Sequence, residues 1–85
     1  MYSVQWRQKA RDTIQEIWER ASKKERPIIT EACEEIIRRL RDYPNDVSES
    51  REDEIRVTHV SPLGVRFHID SESQIVMITK IWRYD

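Results

Sequence analysis

Ile55-Arg56-Val57-Thr58-His59-Val60-Ser61-Pro62-Leu63-Gly64-Val65-Arg66-Phe67-His68-Ile69-Asp70 is the stretch on which the fold of this chain turns. Apolar and polar residues alternate on both sides of a Pro-containing break, the signature of two half-buried antiparallel strands. Ser61-Pro62-Leu63-Gly64 reads as the turn, with Gly64 free to take a positive backbone angle. Successive strand residues point to opposite faces, so alternation assigns Ile55, Val57, Val65, Phe67 and Ile69 to the covered face. Arg56, Thr58, Arg66 and His68 fall on the open one. His59 shares the inward parity beside the turn, which suits a partly buried structural role.

A third alternating segment, Ile75 to Trp82, follows Asp70-Ser71-Glu72-Ser73-Gln74, a polar connection with turn chemistry. Its parity is ambiguous, because Val76 and Ile78 compete with Ile75, Met77 and Ile81 for the covered side. Apolar residues of both parities suit a central strand covered on two faces. We assign Ile75, Met77 and Ile81 inward, which places Lys80, Trp82 and Tyr84 on the open face beside Arg56, Arg66 and His68. The strand segments carry the cations Arg56, Arg66, Lys80 and Arg83, while the acids Asp46, Glu49, Glu52, Asp53, Glu54, Asp70 and Glu72 sit in the connections. A basic face with interleaved aromatic rings can pair phosphates and stack bases, with Lys80 and Trp82 as nucleic-acid contacts.

Upstream, Tyr2, Val4 and Trp6 alternate with Ser3 and Gln5, which predicts a short first strand. Ala10, Ile14, Ile17, Trp18 and Ala21 then recur every three or four residues, the stripe of a surface helix, and Trp6 and Trp18 are expected in the core. Ile29, Ala32, Cys33, Ile36, Ile37 and Leu40 form a second stripe, with acids leading and arginines trailing along the helix dipole. Ser22-Lys23-Lys24-Glu25 has the form of a capping box. Pro27 is tolerated in a first turn, so the second helix begins at Ser22 or near Arg26. The connection is short enough for an antiparallel helical hairpin. From Tyr43-Pro44 through Glu54 the chain is acidic with one large apolar residue, Val47, and reads as an exposed loop.

The 85 residues suit one domain, 1–85, and not two. A hydrophobic fraction of 38% against 36% charged, arranged in periodic faces, reads as globular. No apolar run approaches the ~20 residues that span a bilayer, and the start lacks a basic-then-apolar leader, so a cytoplasmic location without membrane association is expected. One cysteine, Cys33, excludes an internal disulfide, and with two histidines there is no ligand cluster at zinc spacing; no metal and no cofactor are expected. Cys33 on the apolar helix face reads as a small buried hydrophobe. Ten basic and eight acidic residues precede or include Asp42, and five basic and eight acidic follow it. Neither part has the excess of a protein that binds nucleic acid by charge alone.

The predicted fold is therefore α+β, in the order β-α-α-β-β-β, with a helical hairpin packed on one face of a mainly antiparallel four-stranded sheet. That order, together with Arg39-Leu40-Arg41-Asp42-Tyr43-Pro44, a loop ending at Arg51, Ile55-Arg56-Val57, Pro62 to Asp70 and Lys80-Ile81-Trp82-Arg83-Tyr84, resembles the RelE/ParE toxin superfamily of bacterial toxin–antitoxin systems. The resemblance implies a toxin of one of two kinds: a metal-independent nuclease that cuts messenger RNA in the ribosomal decoding site, or an inhibitor that traps DNA gyrase. It also implies a cognate antitoxin as partner, and a homodimer is a further option. For the nuclease, the family places basic strand residues and a terminal Arg or Tyr at the scissile phosphate, roles that fall here on Arg56, Arg66, Arg83 and Tyr84, with Arg51 as a nucleic-acid contact. His68 joins them because an imidazole titrates near neutral pH. A sequence pI near 6.1, and an end directly after the last strand, motivate the alternative of a non-catalytic interaction domain on the same fold.

Overall fold

The computed structural model describes residues 1–45, 49–52 and 55–84, the side chains of 49–52 excepted. In chain order the elements are β1 (Ser3–Trp6), α1 (Gln8–Arg20), α2 (Glu25–Asp42), β2 (Glu49–Glu52), β3 (Ile55–Val60), β4 (Leu63–Asp70) and β5 (Ile75–Arg83). The strands lie side by side as β1-β5-β4-β3-β2. Four of them, β1, β5, β4 and β3, are the expected ones. The short β2 is a correction: part of the segment read as a loop pairs antiparallel with β3, Glu49 opposite Val57 and Ser50 opposite Arg56, with a register shift before Glu52. The rest of that acidic connection, Asp46, Val47, Ser48, Asp53 and Glu54, lies outside the described residues.

The sheet is mixed, because β1 runs parallel to β5 while β3, β4 and β5 form an antiparallel meander. As expected of a central strand, β5 lies between β1 and β4. It is central over only half its length, since β1 pairs with Ser3 opposite Ile75 through Trp6 opposite Ile78, and Arg7 then donates its N–H to the Ile78 carbonyl before the chain enters α1. Beyond Ile78, α1 lies along β5, and α2 crosses β3, β1 and β4.

Cross-strand partners share a face, so the pairing fixes which side chains meet the helices. Leu63, Val65, Phe67 and Ile69 of β4, together with Val76, Ile78 and Ile81 of β5, are essentially inaccessible and pack against Ala10, Ala21, Ile29, Ala32, Ile36 and Leu40. Each large apolar side chain fully buried this way contributes about 1.5–3 kcal/mol. Tyr2, Val4 and Trp6 pack against this core from β1, as their alternation predicted. Trp18 departs from expectation. It is exposed, and its ring carries the Arg26 guanidinium 4.3 Å from its centroid, while Arg26 donates to the carbonyls of Trp18 and Glu19 and so caps the end of α1.

The capping box forms as read. Ser22 Oγ accepts from the Glu25 amide at 3.2 Å and Glu25 Oε1 accepts from the Ser22 amide at 2.9 Å. The helix is assigned from Glu25, and Pro27 falls in the first turn where its missing N–H costs no helical bond. Cys33 is half-buried, and burial pushes its thiol pKa up, away from the reactive thiolate.

Glu25 also ties this helix to the sheet, since Arg83 Nη2 donates to Glu25 Oε2 at 2.8 Å. That guanidinium, before the Ser22 amide, holds the Glu25 carboxyl at about 2 against an ordinary 4.5. A depressed carboxyl pKa stabilises the fold above its unfolded value and the contribution is lost as pH falls through the folded one. Urea midpoints should therefore decline between pH 4.5 and 2, and Arg83→Met should flatten that decline. A variant declining as steeply as the parent would place the acid sensitivity elsewhere, for example at Glu35, held at about 2 by Arg38 and Arg39.

Candidate functional site

The face of the sheet opposite the helices is set by two local features. The first is the two-residue connection Ser61-Pro62, which makes Val60 and Leu63 direct partners. Leu63 points into the core, so Val60, Thr58 and Arg56 point the same way and Ile55, Val57 and His59 take the open side. This reverses the expected parity of β3. Arg56 lies opposite Phe67 on the helix side, half-buried, and its Nε is buried with no hydrogen-bond partner among the described residues. His59 is exposed on the open face and not structural packing beside the turn.

The second feature is a bulge in β5. Arg66 is opposite Lys80 and the next residue, Phe67, is opposite Ile78, so Thr79 is the extra residue. Its hydroxyl donates to the Arg66 carbonyl at 3.1 Å and accepts from Arg66 Nε at 3.3 Å, occupying the gap that the bulge opens in the ladder. Parity changes at this point. Val76 and Ile78 face the helices before it and Ile81 after it, while Ile75 and Met77 fall on the open side, contrary to expectation. Val76 and Ile78 are thus core residues.

With both features in place the open face has three zones. Arg66 and Lys80 are cross-strand partners at its centre, both exposed. Toward one end lie His68 and Met77, also partners, with Ile55 across β3. Toward the other, the His59 ring stands edge-on to Trp82 at 5.8 Å and to Tyr84 at 5.3 Å between centroids. Trp82 lies over Gly64, its cross-strand partner, where a Cβ would come within 2.6 Å of ring atoms Cζ2 and Nε1. Gly64 is therefore a strand residue without a positive angle; its missing side chain is what lets the indole lie flat.

Of the sequence-predicted site residues, Arg66, His68, Lys80, Trp82 and Tyr84 share the open face. Arg56 and Arg83 belong to the helix side, Arg83 opposite Leu63 and paired with Glu25. Arg51 lies in β2 at its register shift, and its side chain is outside the described residues. Two residues escaped the sequence reading. Lys9 and Thr13 of α1 line a groove of about 360 Å³ together with Arg66, Thr79 and Lys80. Only the end of β1 at Trp6 brings α1 beside the bulge, and no spacing within the sequence signals that approach. Among the described residues no cluster of His, Cys, Asp or Glu could hold a metal ion, and no helix is long and apolar enough to cross a membrane.

Comparison with known proteins places this geometry among related folds. The family model described as ParE toxin of type II toxin–antitoxin system matches residues 4–84. A RelBE toxin–antitoxin complex from Mycobacterium tuberculosis contains a chain similar at TM-score 0.76 and 16% identity, over 96% of this chain and 90% of that one. The chromosomal ParDE system of P. aeruginosa gives 0.75 and 17%, over 100% and 98%. The intact E. coli RelBE complex gives 0.67 and 10%, over 100% and 99%. At these identities the structures speak for the fold alone. A search of the curated proteins gives no significant match.

Filling the space above Gly64 should displace the Trp82 ring from its seat between Gly64 and His59. Gly64→Ala should lower unfolding free energy in urea by about 1–3 kcal/mol, the usual cost of overpacking. An unchanged midpoint would show that the ring relocates freely and that the aromatic zone is not built on this contact.

Proposed function

The chain belongs to the ParE toxin family of type II toxin–antitoxin systems, and from that premise we propose that it acts by docking its open face on a protein target, DNA gyrase, instead of cutting messenger RNA itself. One observation carries this reading. Metal-independent cleavage of RNA requires a base for the 2′-hydroxyl, a stabiliser for the phosphorane and an acid for the leaving oxygen, all within hydrogen-bond reach of one phosphate. The two proton-transfer candidates that the sequence offered, Tyr84 and His68, stand far apart on the open face, and the imidazole beside Tyr84 is His59, edge-on to the Trp82 and Tyr84 rings. The Tyr84 amide bonds to the Pro62 carbonyl, and from Pro62 to His68 is six residues of nearly continuous strand, about 20 Å at roughly 3.3 Å per residue. Arg66 and Lys80 lie between them, and the other two cations offered for the task, Arg56 and Arg83, are on the helix side.

What remains on the open face is suited to recognition: a central cation pair, an aromatic cluster at one end and a histidine with apolar neighbours at the other. Aromatic rings and arginine dominate the energetics of protein interfaces, and a cation pair gives such a surface orientation and a fast approach. The homologous toxins of the M. tuberculosis and E. coli complexes were crystallised with their antitoxins. By the same logic a cognate antitoxin holds this chain inactive by covering or competing for the open face.

Purified chain should inhibit supercoiling by gyrase and accumulate covalent gyrase–DNA complexes, and its expression without antitoxin should arrest growth with induction of the DNA-damage response. Arg66→Ala with Lys80→Ala should relieve both effects by at least tenfold in dose while leaving the unfolding free energy in urea within about 0.5 kcal/mol, as for surface substitutions. Ribosome-dependent cutting of messenger RNA that disappears in His68→Ala would overturn the proposal in favour of the nuclease. Harmless expression with neither activity would leave the fold as an interaction domain only.

A further inference from the structure

The groove between the start of α1 and the bulge of β5 has a composition that docking alone does not require. Three cations, Lys9, Arg66 and Lys80, surround it, and among the described residues no carboxylate lines it. Lys9, Arg66 and Lys80 have no ion pair among the described residues, as is also true of Arg7, Arg11, Lys23, Lys24, Arg26 and Arg56, but these three line one hollow. Asp12, the nearest acid in sequence to Thr13, is held by the Gln8 amide and does not line the groove. Like charges around one hollow repel, and a concave wall concentrates their field, so the arrangement favours an anion inside.

The donors left available define which anion. The hydroxyl of Thr13 donates to the Lys9 carbonyl at 2.8 Å and that of Thr79 to the Arg66 carbonyl at 3.1 Å. Both hydroxyl protons are thus engaged, and the remaining strong donors are two ammonium groups and a guanidinium whose Nε is fixed on Thr79. Such a set suits an acceptor with several charged oxygens, which a phosphate chain has and a single carboxylate or a sugar lacks. The first turn of α1, which contributes Lys9 and Ala10, contains no acid and adds the positive end of its dipole. The buried side chains of Ala10 and Ile81 supply an apolar floor, and about 360 Å³ exceeds what one phosphate fills and lies within the usual range of small-molecule sites.

We propose that this groove binds the oligophosphate group of a free nucleoside di- or triphosphate, with Lys9, Arg66 and Lys80 on the phosphates and the nucleoside against Ala10 and Ile81. Binding does not depend on the identity of the target. Because Arg66 and Lys80 belong to both surfaces, occupancy competes with docking and makes the toxin responsive to nucleotide concentration.

Isothermal titration of the purified chain with pyrophosphate, ATP and a short single-stranded oligonucleotide, at low and at physiological salt, tests the assignment. Pyrophosphate and ATP should each bind once per chain, ATP more tightly, with amide shifts centred on Ala10, Thr13 and Lys80. Lys9→Gln should weaken ATP by about tenfold, the loss of one charge-assisted hydrogen bond, while Lys24→Gln, the same change of charge on an exposed residue outside the groove, should leave it within twofold. Absence of binding by both phosphates overturns the proposal, as does equal weakening in the two variants, which marks diffuse charge attraction. Tighter capture of the oligonucleotide than of ATP overturns it in favour of a nucleic-acid groove. None of these outcomes alters the gyrase and messenger-RNA assays, so failure here and failure of the target assignment are distinguishable.

Discussion

One residue too many in β5 governs the molecule. Between Ile78 and Lys80 the strand must change which parity it presents to the helices, because Val76 and Ile78 are core on one side of Thr79 and Ile81 is core on the other. The bulge absorbs that change, and the Thr79 hydroxyl bonds to both backbone and side chain of Arg66 where the ladder is interrupted. The same device brings Arg66 and Lys80 opposite one another and fixes the guanidinium in place. Bulges commonly re-aim side chains at functional surfaces, and here the helix-side core and the open-face cation pair depend on the same irregularity.

Charge is partitioned between the two faces with different consequences. Arg83 stitches β5 to α2 through Glu25 and so serves the fold, while Arg56 lies on the helix side opposite Phe67 with its Nε unpartnered among the described residues. Arg66 and Lys80 stay exposed on the open face with no ion pair among the described residues. The capping box at Ser22 and Glu25 links the systems, since the same carboxylate that caps α2 accepts from Arg83. On the docking reading proposed above, such separation would let the open surface change its contacts while the Arg83–Glu25 pair that joins the layers stays engaged.

Much of the architecture was legible along the chain. The helix stripes apart from Trp18, the capping box, the alternating β1 and the inward set of β4 all appear as read, because each is a short-range pattern enforced by one buried face. The errors have specific causes. In β3 two apolar residues of one parity, Ile55 and Val57, outvoted Val60, but the connection Ser61-Pro62 pairs Val60 with the buried Leu63 and settles the matter. In β5 a strict period of two cannot represent an extra residue. Trp18 reads as core by spacing, yet its indole gains cation–π contact with Arg26 at the end of the helix and stays exposed. Arg66, His68, Lys80, Trp82 and Tyr84 lie on the expected open face, the last three because the parity assigned to β5 fails before the bulge but holds after it.

By itself the sequence determined the number and order of the principal elements, the layer they form and the identity of most core residues, since periodicity and capping act over a few neighbouring positions. The tertiary structure alone decided the pairing of β2 with β3, the side on which Arg56 and Arg83 lie, and the meeting of Lys9 with Arg66 and Lys80. Those depend on register and on where one strand stops so that a helix can approach another. Such contacts join residues dozens of positions apart, and close packing of the whole chain is what selects them.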